Sequence, residues 1–299
     1  MTAAPTFAFV KGHGTQNDFV VVDDPDVRLD LTERLVSALC DRQRGIGADG
    51  VLRVASARAL VAAGVLGEFP DGVGPDDWFM DYRNADGSIA EMCGNGVRVF
   101  AHYLRTTGLV DSDSFTVGSR AGGRPVVVHS CDPSAADVSV AMGRVRLDGR
   151  SDVQIAGRTL TGERVDVGNP HLACVVDELS VDELGALDLT TGAVVDAAAF
   201  PHGANVEILT ALQRSDHDVD FTAHMRVFER GVGETRSCGT GLVAAASAAL
   251  HGIGRDHGVV GIAVPGGTVV VTVADGAAVL RGPSRLVARG ELLPEWSAG

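Results

Sequence analysis

One short motif occurs twice in this sequence, and each copy contains a cysteine. The pattern Cys-Gly-x-Gly occupies residues 93–96 and residues 238–241, about half of the 299-residue chain apart. Upstream, Asn84 aligns with Glu229 at the same offset. The duplication predicts two pseudo-symmetric halves with one thiol each, and a site where the two thiols face each other.

Each copy of the motif leads into an apolar run of helical length, so Gly-x-Gly predicts the start of a helix. Free backbone N–H groups and the positive end of the helix dipole lie there and bind carboxylates readily. A cysteine in this place is expected to have its pKa lowered from roughly 8.5 into about the 3.5–7.5 range. One such motif alone is more simply an inert buried cysteine. Two copies at matched spacing favour a pair of reactive thiols, which suits removing a proton from one face of a carbon and returning one to the other.

Charge and hydrophobicity exclude several classes of partner. Hydrophobic residues make up 45% of the chain, and the formal net charge is −14. This acidic balance argues against a nucleic acid or an anionic membrane surface as a partner. No apolar stretch reaches the ~18–20 residues of a membrane span, and the N-terminal residues do not show a basic segment followed by an apolar one. We therefore expect a cytoplasmic protein that acts on a small molecule.

The five cysteines indicate a reducing compartment. Their number is odd and none forms a Cys-x-x-Cys pair, so neither a disulfide framework nor a zinc site is expected. The three that lie outside the repeated motif, Cys40, Cys131 and Cys174, are interpreted as structural.

Lysine usage excludes two further classes, because Lys11 is the single lysine of the chain. A pyridoxal-phosphate enzyme needs a Schiff-base lysine. A Walker-A loop needs Gly-Lys followed by Ser or Thr, whereas Lys11 precedes Gly12 and His13. We expect no cofactor and no metal.

Hydrophobic periodicity and turn residues predict short strands with one main helix in each half. Strands are predicted over 7–10, 19–23, 51–54, 125–129, 138–147, 205–209 and 221–229, with a polar turn over 12–18. A helix is predicted over 31–42, capped by Asp30 or Thr32, and a hairpin over 269–280 around Asp275-Gly276. This pattern indicates an α+β fold rather than a doubly wound parallel sheet.

Residues 45–50 match the pattern G-x-G-x-x-G, but a dinucleotide-binding loop follows a strand and opens a helix. Here the pattern follows a predicted helix and opens a predicted strand, so it is interpreted as a turn. Residues 56–77, rich in Ala, Gly and Asp, are predicted to form a surface insertion that is partly helical.

Two charged residues end a predicted strand shortly before Cys238. Glu229 and Arg230 could bind an ammonium and a carboxylate, since arginine is suited to bidentate carboxylate binding. An exposed strand end is the alternative interpretation.

Several polar residues fall in segments with turn composition. Residues 168–171, Gly-Asn-Pro-His, are predicted to be a turn. His171 could tune a thiol, although a lone histidine more often lies on the surface or caps a helix. Asn17, Asn84 and Asn205 also fall in turn-like segments, where asparagine commonly serves the backbone.

Taken together, these segments resemble the diaminopimelate epimerase family. The resemblance rests on residues 12–19, 45–50, 83–96, 168–171 and 229–241, which cover most of the chain in family order. The two cysteine segments are its most specific parts. Gly50 stands where some members carry a substrate-contacting glutamine, so that contact is not expected here.

The resemblance implies an α+β fold of two pseudo-symmetric domains, each a β-sheet or barrel wrapped around a central helix. The first domain is expected to comprise residues 1–121 with 284–299 and to carry Cys93. The second is expected to comprise residues 122–283 and to carry Cys238.

By the same resemblance, the chain is expected to interconvert LL- and meso-diaminopimelate without a cofactor, in lysine and peptidoglycan precursor biosynthesis. Cys93 is the expected proton donor and Cys238 the expected proton acceptor, assisted by His171 and Glu229. The expected substrate-binding residues are Asn17, Asn84, Gly94, Asn95, Asn169, Asn205, Glu229, Arg230, Gly239 and Thr240.

Three alternatives stay open at this point. A proline racemase or hydroxyproline epimerase also uses two cysteines, but Glu229 and Arg230 with several asparagines suit a second ammonium–carboxylate pair. A thiol-redox protein is disfavoured by the lack of Cys-x-x-Cys. A non-catalytic amino-acid binder would have one silent thiol. The assembly is left open between a monomer and a homodimer.

Overall fold

The computed structural model describes residues 8–293 and residue 296. The chain divides into two compact units. The first contains the residues up to Val140 and those from Pro283 onward, and the second runs from Ala141 to Gly282. The first unit thus extends past residue 121. The domain boundaries expected from the sequence stay predictions.

The first unit contains β1 (Ala8–Gly14), β2 (Asn17–Asp23), α1 (Glu33–Cys40), β3 (Gly50–Ser56), α2 (Ala57–Ala62), β4 (Trp78–Asn84), α3 (Gly94–Thr106), β5 (Ser114–Val117), β6 (Arg124–Cys131) and the first part of β7 (Ala135–Arg144). The second contains β8 (Arg146–Ile155), β9 (Arg158–Asp166), β10 (Pro170–Val176), α4 (Val181–Gly185), a 3-10 turn (Leu189–Thr191), β11 (Ala193–Val195), β12 (Asn205–Thr210), β13 (Gln213–Arg214), β14 (Phe221–Glu229), β15 (Gly233–Thr235), α5 (Gly239–Gly252), β16 (Gly258–Val264) and β17 (Gly267–Ala274). Strand β18 (Ala277–Glu291) begins in the second unit and ends in the first.

The strands of the first unit alternate between antiparallel and parallel pairing. β1 is antiparallel to β2, β2 is parallel to β3, and β3 is antiparallel to β4. A parallel bridge joins Phe79 of β4 to Gly118 just after β5, and β5 is antiparallel to β6. The last part of β18 is antiparallel to β1.

The strands of the second unit repeat this order. β9 is antiparallel to β10, β10 is parallel to β12, and β12 is antiparallel to β14. β14 is then parallel to β16, and β16 is antiparallel to β17. The long helix α3 follows β4 in the first unit, and α5 follows β14 and β15 in the second. The repeated order confirms the predicted α+β fold with two pseudo-symmetric halves.

The two long helices are enclosed by the strands of their own units. α3 is buried along residues 94–104 and contacts β1, β2, β3 and β6. α5 is buried along almost its whole length and contacts β9, β10, β12, β16 and β17. A helix covered on all sides needs small or apolar residues all round, and the Ala-rich run 244–249 of α5 meets this need.

The strand register shows which residues correspond in the two halves. Phe19 of β2 lies opposite Gly50 of β3 in the first half. His171 of β10 lies opposite Asn205 of β12 in the second. In each half, this parallel pair joins the second and third strands of the pairing order, β2 with β3 and β10 with β12. Phe19 therefore corresponds to His171, and Gly50 corresponds to Asn205.

Leu52 lies two residues after Gly50 on β3, and Glu207 lies two residues after Asn205 on β12. Leu52 and Glu207 therefore correspond as well. Contacts with the helices agree. A Cβ atom at Gly96 of α3 would lie 3.5 Å from Leu52 Cδ2, and a Cβ atom at Gly241 of α5 would lie 2.5 Å from Glu207 Oε1. The same position against the central helix is therefore apolar in the first half and acidic in the second.

Several local predictions are confirmed. The turn predicted over 12–18 is present but shorter: β1 runs to Gly14 and β2 begins at Asn17, so the turn consists of Thr15 and Gln16, whose φ values are 49° and 63°. Helix α1 lies inside the predicted range, with Thr32 as its N-cap. Phe7, the first residue of the first predicted strand, lies outside the described residues.

The glycine-rich segment 45–50 is a turn, as predicted, and Gly50 opens β3. A Cβ atom at Gly50 would lie 2.4 Å from the carbonyl oxygen of Arg83, so this backbone accepts glycine alone. The predicted insertion contains the short helix α2. The predicted hairpin turns at Asp275 and Gly276, both with positive φ.

Other local predictions were wrong in detail. Residues 168–171 are not one turn, because β10 already begins at Pro170. Asn205 opens β12 and Asn17 opens β2 directly after a turn, while Asn84 ends β4 and begins the turn in which the Gly87 N–H donates to the Asn84 carbonyl oxygen. The predicted strand 138–147 is split between β7 and β8. Pairing with neighbouring strands outweighs the turn preference of single residues.

No helix among the described residues is long and apolar enough to cross a membrane. Within the same part of the chain, no group of three or more His, Cys, Asp or Glu side chains is arranged to hold a metal ion.

Candidate active site

Cys93 is the N-cap of α3. Its backbone is extended, with φ −144° and ψ 117°, and its Sγ accepts a hydrogen bond from the Gly96 N–H at 3.5 Å. Gly94 and Asn95 form the start of the helix, where N–H groups have no partner within the helix. The predicted helix start is confirmed, and these N–H groups are placed to bind an anion.

Asn17 presents its amide oxygen to Cys93. The Cys93 thiol donates to Asn17 Oδ1 at 3.5 Å, and Asn95 Nδ2 donates to the same oxygen at 3.3 Å. On its other side, Asn17 Nδ2 donates to Asp49 Oδ2 at 2.7 Å. Because a carboxylate only accepts hydrogen bonds, Asp49 fixes the amide with its oxygen toward the sulfur.

A cluster of charges holds Asp49 and its turn. Arg42 binds both Asp18 and Asp49, while Lys11 pairs with Asp18 and donates to the carbonyl oxygen of Gly47. Burial raises the pKa of Asp18, but hydrogen bonds from Arg42 and Lys11 outweigh it and lower the value to about 2. The single lysine of the chain is thus part of an ion-pair cluster.

Asn84 lies at the end of β4, opposite Gly50. Its Nδ2 donates to Ser88 Oγ at 3.0 Å. Since Gly50 also lies opposite Phe19, Asn84 lies at the same end of the sheet as the start of β2, where Asn17 is found.

A buried arginine lies one turn beyond Cys93 on α3. Arg98 is 0% exposed, and its guanidinium donates to Thr15 Oγ1 at 3.1 Å and to the carbonyl oxygen of Pro283 at 3.3 Å. Burial lowers the pKa of Arg98 to about 10, while the charge of Asp137 and that of Cys93 in its thiolate form act in the opposite direction. The cation therefore favours negative charge at Cys93.

Cys238 is the N-cap of α5 and is buried, with 7% of its surface exposed. Its Sγ lies 3.5 Å from Thr240 Oγ1, and Asn205 Nδ2 approaches it at 4.0 Å. Here too the predicted helix start is confirmed.

The expectation of a lowered thiol pKa was wrong for Cys238. Burial raises the pKa of this thiol well above its usual value, and the carboxylates of Glu229 and Glu207 raise it further. The hydrogen bond with Thr240 acts in the opposite direction but does not compensate. Desolvation and two nearby carboxylates outweigh the helix end, so Cys238 is held as the neutral thiol.

Glu229 ends β14 and contacts the thiol. Burial raises its pKa, while hydrogen bonds with Thr235 and Cys238 lower it to a smaller extent. The Thr235 hydroxyl donates to Glu229 Oε1. The alternative interpretation of Glu229 as an exposed strand end is therefore wrong.

Arg230 differs from its neighbour because its side chain is exposed. Its backbone N–H donates to Asn205 Oδ1 at 2.9 Å, and Nη1 donates to the carbonyl oxygen of His202 at 3.1 Å. Asn205 thus lies between Arg230 and Cys238. The rest of the Arg230 guanidinium group is exposed, next to the end of β14.

His171 is 0% exposed, so a surface or capping position was the wrong alternative. Its Nδ1 lies 2.7 Å from Glu207 Oε1, and its Nε2 lies 3.0 Å from Asn169 Oδ1. Asn169 and His171 therefore belong to one hydrogen-bonded chain, which is buried at His171 and half-buried at Asn169. Glu207 is its third member.

Comparison with known proteins identifies the family. The family profile described as "Diaminopimelate epimerase" matches residues 9–147 and 164–287. The chain is 62% identical over 291 residues to the diaminopimelate epimerase of Rhodococcus opacus (strain B4), covering 97% of this chain and 99% of that protein. The chain belongs to the diaminopimelate epimerase family. A second relative, from Mycobacterium avium (strain 104), is 60% identical over 292 residues, covering 96% of this chain and 97% of the relative.

Solved structures agree on the fold of this family member. A Bacillus anthracis phenazine biosynthesis protein of the PhzF family aligns with a TM-score of 0.70 at 16% identity, covering 97% of this chain and 100% of the other. A hydroxyproline epimerase from Agrobacterium vitis aligns with a TM-score of 0.60 at 14% identity, covering 98% and 94%. At these identities the likeness shows the two-domain epimerase fold alone.

Two buried charges of this epimerase-family chain were missed by the sequence analysis. Arg98 and Glu207 are each a single charge between apolar neighbours, in Val97-Arg98-Val99 and Val206-Glu207-Ile208. A lone charge inside an apolar run is the signal that could have identified them, since buried charges are rare unless they are paired.

Proposed function

We propose that this chain interconverts LL- and meso-diaminopimelate by cofactor-independent acid–base catalysis with two thiols, in lysine and peptidoglycan precursor biosynthesis. The observation that carries the proposal is family membership along almost the whole chain, with 62% identity to a diaminopimelate epimerase over 97% of it.

The two helix starts would share the work of holding the reacting carboxylate. The N–H groups of Gly94 and Asn95 are the donors from α3, and those of Gly239 and Thr240 are the donors from α5. As the α-proton leaves, negative charge moves onto this carboxylate. A preorganised donor at such a place is worth about 2.7–4 kcal/mol in the transition state.

One sulfur takes the α-proton and the other returns a proton to the opposite face of the carbon. Because epimerisation is reversible, Cys93 and Cys238 exchange the roles of donor and acceptor with the direction of reaction. The raised pKa of Cys238 favours it as the donor, which reverses the assignment expected from the resemblance and leaves Cys93 as the acceptor in that direction of the reaction. Positioned proton transfer of this kind contributes roughly 10²–10⁴-fold.

The second ammonium and carboxylate of diaminopimelate need a separate set of partners. Arg230 supplies an exposed guanidinium suited to a carboxylate, and Glu229 supplies a carboxylate for the thiol and for an ammonium. The asparagines Asn17, Asn84, Asn169 and Asn205 would provide neutral donors and acceptors, which bind both charged ends without adding net charge.

The deciding experiment uses purified protein and LL-diaminopimelate in D₂O. We expect meso-diaminopimelate to form, with deuterium at the inverted α-carbon. A parallel reaction with trans-4-hydroxy-L-proline tests the alternative of a hydroxyproline epimerase and should show no exchange. If LL-diaminopimelate is recovered without deuterium while hydroxyproline exchanges, the proposal is wrong.

We also propose that the enzyme works in the cytoplasm. The thiols of Cys40, Cys131 and Cys174 are free, as a reducing compartment permits. Assembly as a homodimer stays a prediction, which light scattering on the purified protein tests.

A further inference from the structure

One unusual group outside the expected site residues is the carboxylate of Glu207. Its residue is 0% exposed, and Oε1 accepts the one hydrogen bond from His171 Nδ1 at 2.7 Å. Among the described residues, Oε2 has no hydrogen-bond partner. An ionised carboxylate with one oxygen unsatisfied is costly to bury.

The fold itself does not require this glutamate. The corresponding position in the first half is Leu52, and the position corresponding to His171 is Phe19. Both are fully buried apolar residues. The strands of the first half therefore pack against their central helix with an apolar pair. The strands of the second half do so with an ionisable pair. This difference indicates that the pair serves the chemistry of the second half.

The pair is set against the start of α5. A Cβ atom at Gly241 would lie 2.5 Å from Glu207 Oε1. The carboxylate can therefore lie against the first turn of α5 only because residue 241 is a glycine. The positive end of the helix dipole favours an anion there. The same helix start carries Cys238, on which Glu207 exerts a charge effect.

The hydrogen bond of Glu207 determines how His171 can act. Because a carboxylate accepts only, Nδ1 of His171 donates to Glu207 Oε1, and Nε2 lies 3.0 Å from the amide oxygen of Asn169, which is an acceptor as well. An acidic residue behind a histidine fixes its tautomer and orientation and stabilises the ring when it gains a proton. Glu207 can supply both effects to His171.

We propose that Glu207 is a positioning residue of the epimerase reaction, which orients His171 and keeps Cys238 protonated between turnovers. This inference rests on the proposed function. Glu207 does not touch the substrate. It acts through the His171 ring and through its negative charge at the start of α5.

Other charged and titratable groups surround the pair and must be counted in any pH profile. They are Glu229 at the end of β14, Cys238 at the start of α5, and Cys174 of β10, whose own surroundings include Arg150 and Asp152 of β8. Of these groups, Glu229 acts on the same thiol as Glu207. The test therefore follows each cysteine separately.

The test compares wild-type protein with Glu207→Gln, which keeps the size of the side chain and removes the charge. Alkylation by iodoacetamide is followed against pH, and the labelled peptides of Cys238 and Cys93 are quantified in one sample. We expect the pH midpoint for Cys238 to fall by about one unit, a tenfold change in thiolate population at fixed pH, with no change for Cys93. Glu178→Gln, on an exposed residue of the same unit, is the matched control and should change neither midpoint.

Turnover gives the second measurement. With Glu207→Gln, kcat should fall by about tenfold or more while KM stays within about twofold, because a positioned acid–base group contributes roughly 10²–10⁴-fold. An unchanged Cys238 midpoint or an unchanged kcat in folded Glu207→Gln protein overturns the proposal. A wild-type enzyme inactive on diaminopimelate overturns the proposed function instead, and the alkylation profile separates the two failures.

If Glu207→Gln does not fold, Glu207→Asp serves as the second variant. Glu207→Asp keeps the charge but shortens the reach to His171. It should keep the Cys238 midpoint and lose turnover. Wild-type turnover in Glu207→Asp overturns the orienting role.

Discussion

The starts of α3 and α5 share a backbone design but differ in charge. Each begins at a cysteine followed by Gly-x-Gly, and each helix is enclosed by its own sheet. The buried charge beside Cys93 is the cation of Arg98. The charges beside Cys238 are the carboxylates of half-buried Glu229 and buried Glu207, and this thiol is also more deeply buried.

This comparison shows that a helix start does not by itself determine the charge of a thiol. The dipole at a helix end is worth about 0.3–1 kcal/mol, up to ~2 in favourable geometry. Burial shifts a pKa by up to about 3–5 units, and each unit is about 1.4 kcal/mol. At Cys238, burial and the two carboxylates therefore outweigh the helix dipole and raise the pKa of the thiol.

The largest expected effect comes from removing either thiol. Cys93→Ala and Cys238→Ala should each lower kcat by at least about 10²–10⁴-fold, since one sulfur cannot both remove and return a proton on opposite faces. A coupled assay for meso-diaminopimelate measures this. Cys131→Ala, at an exposed cysteine, should remain active. Near-normal turnover of one thiol variant would show that the two helix starts are not functionally equivalent.

The second effect tests the opposite charges of the two sites. Arg98→Met removes the cation next to Cys93 and should slow alkylation of Cys93 at neutral pH by about tenfold, since one pKa unit is about 1.4 kcal/mol. Cys238 should react as in the wild type. Arg98→Lys keeps a positive charge and should restore part of the rate. If Arg98→Met alkylates Cys93 at the wild-type rate, the cation does not control that thiol.

A matched pair of glycines gives the third effect. Gly241→Ala would place its Cβ 2.5 Å from Glu207 Oε1, whereas at Gly96 no neighbouring atom outside the helix backbone comes closer than 3.5 Å. We expect Gly241→Ala to lose about 1–3 kcal/mol of unfolding free energy. Gly96→Ala should be neutral or gain up to about 1 kcal/mol from helix propensity. Equal denaturant midpoints for the two variants would contradict the close approach of Glu207 to α5.

The last effect appears only at alkaline pH. Burial raises the pKa values of Cys40 and Cys174 to about 12 and that of Cys238 well above its usual value. The folded protein therefore holds these protons more tightly than the unfolded chain. Stability present below about pH 9 should decline as pH rises toward about 12, by up to about 1.4 kcal/mol per pH unit for each thiol.

Urea unfolding of Cys238→Ala between about pH 9 and about pH 11 measures the contribution of this thiol. The slope of unfolding free energy against pH should be shallower than in the wild type. Below about pH 8 the two slopes should coincide. A wild-type slope in the variant would mean that Cys238 ionises equally in both states.

The sequence predicted the features that depend on local pattern. The two helix starts follow from the repeated motif, the N-cap Thr32 from its position before an apolar run, and the turn at Asp275 from Asp-Gly. The two-half fold follows from the duplication.

The rest depends on which strands pair, and a single sequence does not display pairing. Asn17 and Asn205 are polar residues with turn preference, yet both open strands because their neighbours complete a ladder of hydrogen bonds. His171 and Glu207 meet only because β10 and β12 lie side by side, 36 positions apart in the case of these two residues. The raised pKa of Cys238 follows first from burial and then from the charges of Glu229 and Glu207, and not from the motif that carries the thiol.

The first unit is built from both ends of the chain, because the last part of β18 pairs with β1, from Ala8 opposite Glu291 to His13 opposite Arg285. During synthesis, β1 leaves the ribosome well before its partner strand, which follows the second unit in the chain. Domains generally fold from the N-terminus as they are made. Here the unit that is translated first is completed last. One edge of β1 therefore stays unpaired until the whole second unit has been made.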